Sequence, residues 1–312
     1  MPDSSQRHVA LLRCATYDRP VLRERLNTVL SSLSFSVPRG SSVLLKPNLV
    51  TGRNPSSPAC TNGFFIAAIA EWFLDHGAQV AVGDSPAFGS GRQVMEACGI
   101  TTALQRLPVT LLDFSHKEEI TLRCGIKTTL AAEIFAYDYL INLPKLKAHS
   151  QMLLSCAVKN LFGSVLGYRK AMAHMRHGDH ESRFAAMIVD LSALLPQGIS
   201  ILDGVIAMHR EGPIYGEPHP TGIIGASRDP VALDTAILQL LGVQAEASPL
   251  WRECQRRGLP GAEFRNLHYP LLTPEELAIS TFFLPATLTP VRFRLRSFLK
   301  NGAIKIINLC KK

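Results

Sequence analysis

The chain has 312 residues, of which 46% are hydrophobic and 19% charged, so it can bury a core and disorder is not expected. Its 33 lysines and arginines outnumber its 25 acidic residues, and the net charge of +8 favours anionic partners such as phosphorylated or carboxylated metabolites. Aromatic residues make up 7% of the chain and do not alternate with basic ones, which disfavours nucleic acid as a partner.

Two features of the sequence bear on its compartment. The N-terminal residues contain no long apolar stretch after a basic start, and no apolar run reaches the ~20 residues that span a bilayer. The seven cysteines are scattered and contain no C-x-x-C pair, as is typical of reduced thiols. We therefore expect a cytoplasmic protein.

Strands and helices alternate in the first third of the chain. The predicted strand SSVLLKPNLV contains a continuous apolar run, as in strands covered on both faces, and the first helix opens with Asp18 and Pro20. This alternation predicts a parallel sheet with right-handed crossovers. In chain order the segments are HVALLRCATY (strand), DRPVLRERLNTVLSSLS (helix), SSVLLKPNLV (strand), NGFFIAAIAEWFLDHGA (helix) and AQVAVGDSP (strand).

The alternation is interrupted once and then resumes. The segments PVTLLDF, EITLRCGI and TTLAAEIFA predict a small antiparallel insertion at about 106–136. We expect a doubly wound, mostly parallel α/β domain over residues 1–242 and a helical extension over residues 243–312. The later segments are YDYLINL (strand), LLSCAVKNLFGSVLG and ESRFAAMIVDLSALLP (helices), GISILDGVIAM and TGIIGAS (strands) and DPVALDTAILQLLG (helix).

The end of the extension is basic and amphipathic. Arg292, Arg294 and Arg296 alternate with apolar residues, which is a strand period, although the apolar positions also fit a helix. Such a segment either packs on the domain with its arginines in water or lies on an anionic membrane. Peripheral contact with the inner face of a membrane is therefore an open prediction.

Polar side chains follow five predicted strands. In open α/β sheets, ligands bind outside the carboxyl ends of the strands, so these side chains are candidates for a common site. Some of them also fit structural roles, because Asp84 with Ser85 suits a turn and an Asp before a proline suits a helix cap. The residues predicted to bind a substrate are Lys46, Asn48, Asp84, Ser85, Asn142, Lys145, Lys147, His174, Asp203 and Arg228.

The helix predicted after YDYLINL carries an unusual lysine. Lys159 would be desolvated in this apolar segment unless an anion compensates its charge. Buried lysines shift their pKa readily, which suits proton transfer or covalent chemistry. The alternative is that the long side chain reaches solvent. Because Asn160 lies beside it and His149 lies just before the helix, we predict that Lys159, His149 and Asn160 are catalytic.

A metal site is a separate possibility. His174, His177 and His180 have a spacing that could place three imidazoles on one helical face, but Gly178 weakens such a helix. We expect a polar loop there, from which His174 reaches the site. A metal ion or iron–sulfur cluster would need dispersed ligands. The candidates are Cys60, Cys156, His149 and His174.

Several short motifs occur together between Val43 and Gly242. KPN follows one strand, GDSP follows the next, and LPKLKAHS, VKNLFG and SRDPVALD come after them. This arrangement resembles the DUF362 family, a family of unknown function, and LPKLKxH combined with KNLFG carries most of the resemblance. The resemblance implies a shared cleft. Many family members carry a ferredoxin-like cysteine segment and are described as iron–sulfur proteins, whereas this sequence has no C-x-x-C-x-x-C run.

Three functions stay open at this level. The first is an enzyme that binds an anionic small molecule, for example an oxidoreductase or a lyase-type enzyme. If its reaction is a redox step, it exchanges electrons with a partner protein. The second is a non-catalytic binding or scaffold protein that docks on an anionic membrane or an acidic partner. The third is a metal or iron–sulfur protein with dispersed ligands. The cofactor is unknown.

Overall fold

The computed structural model describes residues 7–52, 54–87, 89–166, 170, 173, 181–196 and 198–289. Its centre is a ten-stranded mixed sheet, accompanied by two small two-stranded sheets. The strands are β1 (Arg7–His8), β2 (Ala10–Arg13), β3 (Ser42–Pro47), β4 (Gln79–Asp84), β5 (Val109–Asp113), β6 (Lys117–Thr121), β7 (Lys127–Ala131), β8 (Tyr139–Leu143), β9 (Lys145–His149), β10 (Leu153–Ser155), β11 (Gly198–His209), β12 (Glu217–His219), β13 (Ile223–Ser227) and β14 (Leu267–His268).

One part of the central sheet is parallel and the other is mixed. Strands β5, β4, β3, β8 and β11 pair in that order, all parallel. The second half of β11 pairs with β9, which continues β8 after Pro144. The antiparallel strands are β12 and β13, which pair with β11, β2, which pairs with β13, and β10, which pairs with β9. The α/β class and the mostly parallel central sheet are confirmed.

Helices cover both faces of this sheet. Side-chain caps mark their starts, since Asp18 accepts a hydrogen bond from Val21 N and Asp229 accepts one from Val231 N. One core contains α1 and α2, and another contains the later helices. The helices are α1 (Arg19–Ser32), α2 (Gly63–Asp75), α3 (Gly91–Ala97), α4 (Ile100–Leu104), α5 (Ala157–Leu161), α6 (Glu181–Ser192), α7 (Pro230–Leu240) and α8 (Pro249–Arg256).

Two local predictions were wrong, and one strand was missed. The segment PVTLLDF forms β5, which is an edge strand of the central sheet, so only β6 and β7 form the antiparallel pair of the insertion. The segment KLKAH, to which no helix or strand was assigned, is strand β9. The segment predicted as one long helix from Leu153 begins with β10, and α5 within it has only five residues. A short apolar run does not distinguish a buried strand from a buried helix, which explains the last error.

Residues 243–289 pack against the α/β domain. Strand β14 pairs with β1, Ile279 N donates to Leu240 O at 3.1 Å, and Thr289 N donates to Ser150 O at 2.8 Å. The domain boundary at residue 242 stays a prediction, and the basic segment 290–312 lies outside the described residues. In the part of the chain that the structure describes, no helix is long and apolar enough to cross a membrane.

Candidate functional site

A cavity of about 1180 Å³ opens at the carboxyl edge of the parallel strands. The segments that follow β3, β4, β9 and β11 contribute to it, together with α5 and residues 283–289. Ligands of open α/β sheets bind at this edge. Of the residues predicted from the sequence, those that line the cavity are Asn48, Asp84, Ser85, Lys147, His149, Lys159 and Asn160.

A buried ion pair lies beneath the floor of the cavity. Lys46 is fully buried, and its Nζ lies 2.9 Å from Asp84 Oδ1 and donates to Asn160 O at 2.7 Å. Asp84 Oδ2 accepts from Leu49 N at 2.9 Å. The contact between Lys46 and Asp84 Oδ1 lacks hydrogen-bond geometry, so charge alone holds it. Lys46 is thus neutralised by the protein itself.

Gly163 leaves the space that this ion pair occupies. A Cβ atom at this position would collide with Lys46 Nζ and lie only 2.5 Å from Asp84 Oδ1. A side chain of any size would therefore push the ion pair apart. This steric requirement gives a physical reason for the glycine in KNLFG.

Three asparagines join the strand ends to α5. Asn48 Nδ2 donates to Asn160 Oδ1 at 2.8 Å, and Asn160 Nδ2 donates to Asn142 Oδ1 at 2.8 Å. Asn142 Nδ2 in turn donates to Ala157 O at 3.0 Å. Asn142 and Asn160 are buried and Asn48 is half-buried, and because these amides bond to one another, they fix the position of α5 against β3 and β8.

Lys147 is held by this amide network. Its Nζ donates to Asn48 Oδ1 at 2.5 Å and to Ala59 O at 2.8 Å. Burial lowers the pKa of Lys147 to about 8, against an opposing effect of the nearby Cys60 thiolate. Lys147 lines the cavity and carries part of its positive charge.

Lys145 belongs to a separate, closed cluster. Its Nζ donates to Asp203 Oδ2 and to the Tyr17 hydroxyl, both at 2.8 Å, and the Tyr17 hydroxyl donates to Asp203 Oδ1 at 2.8 Å. Asn62 N also donates to Asp203 Oδ2 at 2.9 Å. Neither Lys145 nor Asp203 lines the cavity. Their charges neutralise each other, so the cluster ties β9 and β11 to the start of α2.

Lys159 and Lys170 differ from these lysines. Among the described residues, no atom accepts a hydrogen bond from Lys159 Nζ, which lies 4.5 Å from the centre of the Phe162 ring and 5.7 Å from that of Phe184. Burial, followed by the charges of Lys147 and other lysines, lowers the pKa of Lys159 to about 7. Burial likewise lowers the pKa of Lys170 to about 7, and its Nζ contacts Ser85 O. Both lysines line the cavity.

His149 is fixed in one tautomer. Its Nδ1 accepts hydrogen bonds from Gln151 N at 3.1 Å and from Met152 N at 3.2 Å, so Nδ1 carries no proton. The proton of the neutral ring is therefore on Nε2. A residue held in this way is suited to donate a hydrogen bond from Nε2 to an anionic ligand.

A half-buried carboxylate positions α5, the helix that carries Lys159 and Asn160. Asp234 of α7 accepts from Ala157 N at 2.6 Å and from Val158 N at 3.2 Å. These N–H groups belong to the first turn of α5 and have no partner within the helix. Burial raises the pKa of Asp234 to about 7. Sequence reasoning missed Asp234 because it lies in the middle of another helix.

The cysteines proposed as metal ligands lie in different surroundings. The Cys60 thiol contacts Thr51 O at 3.5 Å, and a hydrogen bond with Cys98 and the charge of Lys147 lower its pKa to about 6 against the effect of burial. Cys156 precedes α5, and burial together with the charge of Asp234 raises its pKa. Within the described residues, no three His, Cys, Asp or Glu side chains are close enough to hold a metal ion. His174 lies outside the described residues.

Arg228, also expected to join the site, lies apart from the cavity. It follows β13, which runs antiparallel to β11, so its position is the opposite edge of the sheet. There its guanidinium lies 4.9 Å from the centre of the Phe35 ring and donates to Ser34 O at 3.2 Å. Lys46 and Asn142 also do not line the cavity, because both lie beneath its floor.

Other cavity residues were missed at the sequence level. Lys170 and Ser155 had no local signal, since neither follows a predicted strand. Residues 210–215 follow β11 directly, so the rule that ligands bind at the carboxyl ends of the strands could have predicted them. Residues 283–289 could not be found in this way, because they come from a part of the chain far from any strand of the central sheet.

Comparisons with known proteins place this chain in a family. The chain is 38% identical over 299 residues to thylakoid-associated protein sll1697 of Synechocystis sp. (strain ATCC 27184 / PCC 6803 / Kazusa), which covers 94% of this chain and 92% of that protein. The profile described as "Domain of unknown function (DUF362)" matches residues 43–239. The chain therefore belongs to the DUF362 family.

Two solved structures resemble this fold at low sequence identity. One is a Thermotoga maritima protein, Northeast Structural Genomics Consortium target VR152, with a TM-score of 0.45, 8% identity and coverage of 70% of this chain and 57% of that one. The other is the lactate racemase apoprotein from Thermoanaerobacterium thermosaccharolyticum, with a TM-score of 0.45, 11% identity and coverage of 74% and 56%. The chain thus spans a little over half the length of each.

Proposed function

We propose that this DUF362 protein is an enzyme that binds an anionic small molecule in the cavity, with Lys159 and Lys170 as its main anion ligands. The observation that carries the proposal is the pair of buried amines with pKa values near 7. Burying a cation without a partner costs free energy. A bound anion would supply the missing charge, whereas Lys46 and Lys145 already have carboxylate partners.

The same groups suit proton transfer. An amine with a pKa of about 7 exists in both protonation states at neutral pH, so Lys159 could give or take a proton or attack a carbonyl carbon. His149 would donate a hydrogen bond to the ligand from Nε2, because its Nδ1 accepts from backbone N–H groups. Asn160 would orient the ligand beside Lys159. A redox step stays a prediction from the family resemblance.

A thermal-unfolding assay with inorganic phosphate tests the proposal. Phosphate should raise the unfolding temperature more than chloride does at the same ionic strength, because it binds only the folded cavity. The increase should disappear in Lys170→Met and persist in Lys117→Met, a matched change at an exposed lysine of β6. Equal effects of phosphate and chloride on the wild-type protein would contradict the proposal.

A second candidate function is peripheral association with an anionic membrane. Two observations favour it: the relative with 38% identity is named thylakoid-associated, and residues 290–312 are basic and amphipathic in sequence. This function is compatible with the first, since a cavity enzyme can also be bound to a membrane. Deletion of residues 290–312 separates the two functions.

A further inference from the structure

The cavity has an apolar side that a small anion would not use. Residues 213–215 contribute Pro213, Ile214 and Tyr215, and residues 283–285 contribute Phe283, Leu284 and Pro285. Phe283 is 51% exposed and Tyr215 is 74% exposed, so these two segments together present apolar surface to the cavity. The lysines come from other elements, so cationic and apolar surfaces meet in one cavity.

Backbone hydrogen bonds attach the apolar side of the cavity to the rest of the fold. Arg210 N donates to Phe283 O at 2.8 Å, and the Arg210 guanidinium lies 4.9 Å from the centre of the Phe283 ring. Ser150 N donates to Gly212 O at 3.2 Å, and Thr289 N donates to Ser150 O. Both apolar segments are therefore attached to the end of β9, the strand that carries Lys147 and His149.

The size of the cavity also indicates a ligand larger than an inorganic anion. Pockets for drug-sized ligands have volumes of roughly 300–1,000 Å³. At about 1180 Å³, this cavity could hold a molecule much larger than an inorganic anion. The charge also favours phosphate over a single carboxylate, because a phosphate monoester is close to dianionic at neutral pH and two buried lysines, Lys159 and Lys170, line the cavity.

We propose that the ligand is an amphipathic phosphate, whose phosphate group contacts Lys159 and Lys170 and whose apolar chain or ring packs on Ile214 and Phe283. The proposal rests on the proposed function and names the ligand class of the same site. Such a phosphate is either the headgroup of a membrane lipid or part of a water-soluble metabolite. The shared chemistry is a phosphate ester with an apolar body.

A series of alkyl phosphates tests this inference by isothermal titration calorimetry. The probes are inorganic phosphate, butyl phosphate and octyl phosphate, each used below its micellar concentration. Octyl phosphate should bind at least about tenfold more tightly than butyl phosphate, because each buried methylene adds favourable transfer free energy. Phe283→Ser should reduce this ratio and leave the affinity for inorganic phosphate unchanged. Phe264→Ser, a change at an exposed phenylalanine outside the cavity, should alter neither.

The outcomes separate the inference from the function it rests on. If phosphate binds but chain length has no effect, the amphipathic ligand is refuted and the anion site stands. If none of the three probes binds, both are refuted. Weaker co-sedimentation of Lys159→Met than of Lys117→Met with phosphatidic acid vesicles would identify a lipid as the source. Binding of octyl phosphate together with equal co-sedimentation of these two variants would identify a soluble metabolite, and either result supports the proposed chemistry.

Discussion

At the residue scale, four buried lysines at the carboxyl edge of the sheet differ in how their charge is balanced. Lys46 and Lys145 have carboxylates within 2.9 Å, and Lys147 has two oxygen acceptors. Lys159 has aromatic rings and other lysines around it. Desolvation and like charge both favour the neutral amine, so folding opposes the protonated form of Lys159.

This predicts a pH-dependent effect of Lys159→Met. A lysine pKa lowered from 10.5 to about 7 means that the unfolded chain binds more protons than the folded one between those values. The wild-type protein should therefore gain stability as pH rises through this window, by up to ~1.4 kcal/mol per pH unit for this group. Lys159→Met should be more stable than wild type at neutral pH, and its advantage should shrink towards alkaline pH.

Urea unfolding of both proteins across this pH range measures the effect. Lys117→Met serves as the control, because this lysine is exposed and its replacement should not change the pH slope. A constant difference between Lys159→Met and wild type at all pH values would show that the amine is not perturbed.

Gly163 gives a steric prediction. Gly163→Ala should destabilise the fold by ~3 kcal/mol or more, because the added Cβ overlaps the Lys46–Asp84 ion pair and a broken buried pair is costly. It should also weaken phosphate binding. Gly258→Ala is the comparison, since its Cβ meets nothing and only its positive φ of 63° causes strain, at ~1 kcal/mol. Equal losses in the two variants, measured by urea unfolding, would contradict this reading.

At the element scale, α5 depends on α7 for its position. Asp234→Ala would leave Ala157 N and Val158 N without acceptors in a buried place, and we expect a loss of ~2–4 kcal/mol in unfolding free energy. Phosphate affinity should fall too, although Asp234 does not line the cavity. Asp18→Ala, which removes the exposed cap of α1, should cost ~1 kcal/mol and leave the affinity unchanged. An unaltered phosphate affinity in Asp234→Ala would refute the positioning role.

At the element scale, the sequence predicted some residues of the site correctly and could not predict others. The rule that ligands bind at the carboxyl ends of the strands grouped Asn48, Asp84 and Lys147, because all three follow parallel strands or lie near their ends. It failed for Arg228, since the direction of a strand within a sheet depends on distant partners and leaves no local pattern. The pairing of Lys145 with Asp203 was invisible for the same reason, because the two residues are brought together only by the β9–β11 pairing.

At the scale of the whole molecule, a net charge of +8 is shared between the cavity and the surface, including the C-terminal segment. A chain without residues 290–312 should keep the phosphate-dependent rise in unfolding temperature and lose most co-sedimentation with anionic vesicles. Vesicles of zwitterionic lipid alone provide the control for non-specific adsorption. Undiminished binding of the truncated chain to anionic vesicles would contradict a role of this segment in membrane contact.

The most direct test of the anion site is the number of protons taken up when sulfate binds. Sulfate does not titrate near neutral pH, so calorimetry in two buffers of different ionisation enthalpy at about pH 7.5 reports protons bound by the protein. We predict uptake, because a bound anion raises the pKa of Lys159 and Lys170 from about 7, and we predict a smaller uptake in Lys159→Met than in Lys117→Met. Absence of binding, or binding whose enthalpy is the same in both buffers, would contradict the account.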